Sequence, residues 1–150
     1  MYGFSNVLSQ WLLKLQPKTI MEWGPGVSTE LMLKLAPDAQ IITVEHHDEF
    51  HEKAVAHFGM NPRVKILKEI VTKRNANYAT CAYEHGPFDL AFVDGRRRVE
   101  CCLVAMCLLN PGGVVILHDI CRQNYMRPLR EIAEIIEERS NTAVMRPKWK

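Results

Sequence analysis

Apolar positions along this chain switch repeatedly between helical and strand spacing. Leu8, Trp11, Leu12 and Leu15 recur every three or four residues, with Ser5 or Asn6 able to cap the segment and Gln16-Pro17 closing it. Thr19 to Trp23 then reads as a short strand, broken by Gly24-Pro25-Gly26. Ser28 or Thr29 is placed to cap a second helix carrying Leu31, Met32 and Leu35, which Pro37 stops. The same order returns downstream. Ile41 to Val44 is a strand leading to Glu45, followed by a helix capped by Asp48 that presents Phe50, Ala54, Val55 and Phe58. Val64 to Leu67 forms a third strand. Asp89 to Asp94 forms a fourth, whose almost unbroken apolar run fits a strand covered on both faces. Val99, Cys102, Leu103 and Met106 mark another helix, and Asn110-Pro111-Gly112-Gly113 turns the chain into a fifth strand, Val114 to Leu117. A last helix with Tyr125, Leu129, Ile132, Ala133 and Ile136 on one side precedes a short strand, Thr142 to Met145. Residues 69–86 show no clear period, which points to a functional or mobile loop.

Strands alternating with helices predict an α/β fold. The expected sheet is doubly wound, mostly parallel and Rossmann-like, in the order 3-2-1-4-5-6 with the last strand beside the fifth. No repeat or linker divides the chain, so residues 1–150 are read as a single domain. Composition narrows the function by exclusion. A net charge of +2 is too small to argue for nucleic acid, and no apolar stretch approaches the ~20 residues of a membrane span. Residues 1–16 lack the basic start and long apolar block of a signal peptide. Five cysteines without a Cys-x-x-Cys pair suit reduced, buried thiols, so a cytoplasmic protein is expected.

In a doubly wound sheet the ligand crevice lies beyond the carboxyl ends of the strands. Those ends carry Glu22 with Gly24-Pro25-Gly26-Val27-Ser28, then Glu45 and His46, then Asp94-Gly95-Arg96, then His118-Asp119. Buried carboxylates are costly unless partnered, so several at one rim mark a site. The glycine turn lets backbone approach a ligand and aims helical N–H groups at it, although a mere tight turn would use the same glycines. Glu45, about 20 residues on, stands where an acid accepts both hydroxyls of a ribose. Glu22 would repel a pyrophosphate, and Thr29 occupies the place of the third glycine in a dinucleotide fingerprint. A ribose-bearing ligand with an ammonium group and no phosphate fits better, and S-adenosylmethionine is such a ligand.

These segments resemble the class I methyltransferases. Glu22 through Thr29 looks like their first motif, in the variant where Ser-Thr follows the glycine pair, and Phe88 through Arg98 and Gly112 through Asp119 look like their later strand motifs. Val93-Asp94-Gly95-Arg96-x-Arg98, with His118-Asp119 and Arg146-Pro147-Lys148, is similar to a group of small bacterial-type methyltransferase-like proteins. The resemblance implies that Glu22 and Gly24 hold the methionine end of S-adenosyl-L-methionine and that Gly26 and Ser28 line its sugar. It further implies that Glu45 binds the ribose hydroxyls, that His46 lies beside the adenine, and that Asp94 sits under the methyl group. Two departures stand out. Metal-dependent O-methyltransferases of this fold use an Asp after the fourth strand and an Asp-Asn pair after the fifth; Asp94 and Asp119 match, but Ile120 replaces the Asn. Two carboxylates could still hold Mg²⁺ with several waters, yet a site without metal is the favoured reading. The chain end also lacks the hairpin strand that usually closes the family's sheet, and an exposed edge points to a homodimer or a shortened domain.

Methyl transfer from a sulfonium asks mainly for alignment and exclusion of water, and a hydroxyl acceptor also needs a base. Asp94 and His118 are the candidate bases, with Asp119 beside them. The plainer alternatives are a histidine bonded to nearby backbone and an aspartate capping the next helix. Arg96, Arg97, Arg98, Arg122, Arg127 and Arg130 offer forks for an anionic acceptor, or else a solvated face opposing Glu131, Glu134, Glu137 and Glu138. The expected protein is a methyltransferase acting on a small-molecule acceptor, O-methylation favoured, with no membrane or nucleic-acid partner. An NAD(P)-dependent oxidoreductase and a cofactor-binding module without catalysis are the alternatives.

Overall fold

Helix α1 (Gly3–Leu15) opens the computed structural model, which describes residues 3–150. In chain order there follow β1 (Thr19–Trp23), α2 (Val27–Leu35), β2 (Gln40–Glu45), α3 (Asp48–Phe58) and β3 (Val64–Lys68). After them come α4 (Asn77–Thr80) with a 3-10 turn at Cys81–Glu84, β4 (Phe88–Val93), α5 (Arg98–Leu108) and β5 (Leu109–His118). The chain closes with α6 (Gln123–Ile132), β6 (Ala133–Arg139) and β7 (Thr142–Pro147). Strands β1 to β5 pair in parallel in the order β3-β2-β1-β4-β5, the doubly wound core that the sequence pattern predicts.

Alternation along the central strands feeds two apolar layers, because successive side chains point to opposite faces. In β4, Leu90 and Phe92 join the layer under α1 and α2 with Leu8, Trp11 and Met32. Ala91 and Val93 join the other, under α5 and α6, with Trp23, Tyr78 and Met106. All of these side chains are buried, and each large one contributes about 1.5–3 kcal/mol. Phe50, Val55 and Leu103, expected on inward faces, are instead exposed. Cys101 and Cys102 are buried and unpaired as expected, whereas Cys107 and Cys121 are free but exposed.

The end of the chain corrects the expected topology. The last helix stops at Ile132, and Ala133 to Arg139 forms β6, antiparallel to β7, which in turn lies antiparallel to β5. The hairpin strand expected to be missing is therefore present, and the full order is β3-β2-β1-β4-β5-β7-β6. Ile132, Ala133 and Ile136 satisfy a helical period, but Ala133 and Ile135 also alternate with Glu134 and Ile136, and pairing with β7 decides between the two. Ser140 (φ 51°) and Asn141 (φ 57°) form the two-residue turn, both in the left-handed region that such turns require. Outermost β6 carries Glu134, Glu137, Glu138 and Arg139, charges that discourage edge pairing. The reason for expecting a homodimer falls away with the bare edge.

Segment 69–86 is likewise more ordered than its sequence suggests. Residues 69–76 are irregular, but Tyr78, Ala79 and Ala82 from α4 and the turn after it are buried in the core. Among the described residues no helix is long and apolar enough to cross a membrane.

Candidate active site

Parallel strands end at one rim, so β1, β2, β4 and β5 deliver their terminal residues together. Gly24 leaves β1 with φ +98°, a conformation that other residues rarely adopt, and a side chain there would approach Asp94 and Gly95 backbone to 3.3 Å. A side chain at Gly95 would come within 2.0 Å of the Tyr78 hydroxyl oxygen. The loops after β1 and β4 thus touch at the switch point of the sheet. A Cβ at Gly26 would meet nothing within 4 Å, so the turn opens onto free space at that position.

Glu22 lies beneath this turn, fully buried. Ser28 Oγ donates to Glu22 Oε1 at 2.5 Å and Thr29 Oγ1 donates to Oε2 at 2.7 Å. Thr29 Oγ1 also accepts from the Gly26 N–H at 3.0 Å, so the carboxyl holds the turn through a hydroxyl. Burial pushes the Glu22 carboxyl up to about 7 against the pull of these hydrogen bonds. Gly26, rather than Ser28 or Thr29, is the N-cap of α2, because both hydroxyls turn inward to Glu22.

Glu45 is buried at the end of β2. Its Oε1 accepts from the N–H groups of His46 (2.7 Å) and His47 (2.9 Å), fixing the entry to α3. Its Oε2 has no partner among the described residues. The His46 ring meets Tyr78 edge-on, with centroids 5.7 Å apart. A cavity of about 550 Å³ opens beside this rim, lined by Pro25, Gly26, Val27, Phe50 and Lys53 among others, and Glu45 and Asp94 do not line it.

At the ends of β4 and β5 the structure brings Asp94, His118 and Asp119 into one cluster. Asp94 Oδ1 stands 3.0 Å from His118 Nδ1, and His118 Nε2 is 3.8 Å from Asp119 Oδ1. Phe4 packs edge-on against the His118 ring at 4.9 Å. Asp119 has a left-handed backbone (φ 63°), and its Oδ1 accepts from Asn141 Nδ2 at 3.0 Å. Ligand atoms of the three residues lie within 4.8 Å of one another.

Arg98 completes this cluster. Its side chain is 7% exposed. Its nitrogens reach Asp94 Oδ1 (3.1 Å) and Asp119 Oδ2 (3.4 Å), and they donate to the carbonyls of Asp94, Gly95 and His118. Nothing in the triple-arginine run sets it apart from its neighbours in sequence. Tyr78 and Asn141 gave no signal of their own, because what matters is a contact made across the fold; Thr29 was read as a cap and not as a partner of Glu22. Of the other arginines, Arg97 binds Glu100 and the carbonyls of Thr72 and Asn75, Arg122 faces Asp119, and Arg130 pairs with Glu138. The side chains of Arg96 and Arg127 make no hydrogen bond or ion pair among the described residues, and Arg96 is exposed two positions beyond Asp94.

A doubly wound sheet with a glycine turn at its switch point and a ring of strand-end acids defines a nucleoside-cofactor enzyme. A family model for a methyltransferase domain matches residues 21–120, and the chain belongs to that family. It is an S-adenosylmethionine-dependent methyltransferase, which sets the nicotinamide alternative aside. Solved structures share the fold. The cofactor-bound Rv0187 from MTB is 20% identical, with a TM-score of 0.75 over 96% of this chain and 79% of that one. An O-methyltransferase from Bacillus cereus in complex with SAH is 15% identical, with a TM-score of 0.73 over 94% and 78%. A methyltransferase-like protein from Silicibacter pomeroyi is 15% identical, with a TM-score of 0.70 over 95% and 84%.

Proposed function

We propose that this methyltransferase transfers the methyl group of S-adenosylmethionine to a hydroxyl of a small anionic acceptor, with His118 as the base. The observation that carries this reading is the Asp94–His118 pair at the end of two neighbouring strands, 3.0 Å apart. Asp94 holding the Nδ1–H leaves the lone pair on Nε2, a fixed tautomer able to take a proton. The acceptor O–H proton passes to His118 Nε2, the oxygen bonds to the methyl carbon, and the S–CH₃ electron pair stays on sulfur as a neutral thioether. Arg96, exposed and with its side chain unpaired among the described residues, supplies the fork for an acceptor carboxylate or phosphate, and Asp119 limits where that acceptor lies.

When bound, the cofactor would be held by the backbone at Gly24 and Gly26, with Glu45 accepting from its ribose hydroxyls, His46 beside its adenine and Asp94 near its methyl group. Glu22 and Ser28 act from below: their mutual hydrogen bond supports the turn that the cofactor rests on. Titration with S-adenosylhomocysteine tests the cofactor half, and a labelled-methyl assay on a panel of hydroxylated acids tests the acceptor half. His118→Asn should leave S-adenosylhomocysteine affinity unchanged and lower kcat by about 10²–10⁴. Full turnover in that variant would refute the assignment of the base.

A further inference from the structure

The two carboxylates that match the ligands of metal-dependent O-methyltransferases are already bridged by a cation belonging to the chain. One arm of the Arg98 guanidinium lies 3.1 Å from Asp94 and the other 3.4 Å from Asp119. The same group donates to the Gly95 carbonyl (3.0 Å), the Asp94 carbonyl (3.0 Å) and the His118 carbonyl (2.6 Å), so it is anchored to the ends of both strands. The Tyr125 ring lies 5.7 Å from its Cζ. A planar fork used on so many acceptors has no free rotation left.

A divalent ion here would have to compete with Arg98, or displace the other partners, at three of the four carboxylate oxygens. Asp94 Oδ1 is shared between Arg98 and His118, Asp119 Oδ2 faces Arg98, and Asp119 Oδ1 accepts from Asn141. An ion among the same donor atoms would sit a few ångström from a buried guanidinium, where like charges are poorly screened. Ile120, at the place of the family's asparagine ligand, offers no donor from its side chain.

We propose that Arg98 is a built-in replacement for the divalent cation. It neutralises Asp94 and Asp119 and locks the ends of β4 and β5, so that transfer proceeds without a bound metal. It is a positioning residue that acts on the reaction through Asp94 and His118. The inference rests on the acceptor site lying beside those two residues, as proposed above, but its test reads ion binding and not turnover.

Mn²⁺ titrated into the intact protein and followed by electron paramagnetic resonance should show no stoichiometric binding up to millimolar ion. Arg98→Gln, which empties the bridge while keeping both carboxylates, should gain one site and bind Mn²⁺ on the order of a hundredfold tighter. Adding Asp94→Asn to that variant should abolish the gain. The proposal is overturned if the unaltered protein binds one Mn²⁺ well below millimolar and loses it in Asp94→Asn. It is equally overturned if folded Arg98→Gln gains nothing. The titration of the unaltered protein decides even where the variant fails to fold. S-adenosylhomocysteine binding measured in parallel in chelator separates this outcome from failure of the proposed function.

Discussion

Two groups of carboxylates share one rim of the sheet, and their negative charge is managed by opposite chemistries. Under the glycine turn, Glu22 is surrounded by neutral donors: the hydroxyls of Ser28 and Thr29 meet its two oxygens, and no cation among the described residues is bonded to it. At the β4 and β5 ends, Asp94 and Asp119 face the guanidinium of Arg98 and the imidazole of His118. Hydroxyls satisfy lone pairs without cancelling charge, so the desolvation cost at Glu22 emerges as a carboxyl raised to about 7. The guanidinium of the second group cancels charge directly. Proton concentration should therefore act on the first group, and charge deletion on the second.

The sharpest break in that contrast is Arg98→Ala, which leaves two acids at the β4 and β5 ends without their bridging cation. Urea unfolding near neutral pH should show a loss of about 3–5 kcal/mol. A loss below about 1 kcal/mol would mean that the acids relax into solvent and that the bridge is decorative. Next in size is the pH dependence from Glu22. Its carboxyl protonates near 7 when folded against 4.5 in the reference state, so the folded chain binds the extra proton between those values. Stability from this group is greatest below 4.5, falls as pH rises to 7, and stays lower above, by about 3 kcal/mol in all. Glu22→Gln should flatten that slope in urea titrations run across the window, and an unchanged slope would place the proton elsewhere.

Glu45→Ala probes the cofactor side without touching either charge cluster. Calorimetry should find S-adenosylhomocysteine weakened by about 1–3 kcal/mol, and unaltered affinity would remove Glu45 from the ribose. Smallest is Thr29→Val, which removes the hydroxyl linking Glu22 to the Gly26 N–H. A destabilisation of about 1–2 kcal/mol is expected, larger at high pH where Glu22 is ionised.

The parallel core was legible because its strands are short, apolar and bounded by Gly, Pro and Asp, and because helical spacing returns between them. Strand β6 was not, since Ala-Glu-Ile-Ile-Glu-Glu-Arg suits a helix at least as well and only pairing with β7 overrides that preference. The strand-end acids were found by position, yet what each one does depends on neighbours that are distant in sequence. Glu22 was inferred to face the cofactor with its charge; it is covered instead, and near neutrality only part of that charge is present. The repulsion argument against a pyrophosphate therefore loses force, and family membership carries the cofactor assignment in its place. Arg98 was grouped with five surface arginines because nothing in a linear run marks which member turns inward.

The tip of the β6–β7 hairpin reaches back to the carboxyl end of β5. Asn141 accepts from the Cys121 N–H through Oδ1 at 2.8 Å, donates to Asp119 through Nδ2, and takes the Ile120 N–H on its own carbonyl. The margin of the sheet thus doubles as a brace for the loop that would greet the acceptor. Exchanging that two-residue tip among relatives offers a way to retune substrate preference from outside the pocket, with the cofactor cradle left as it is.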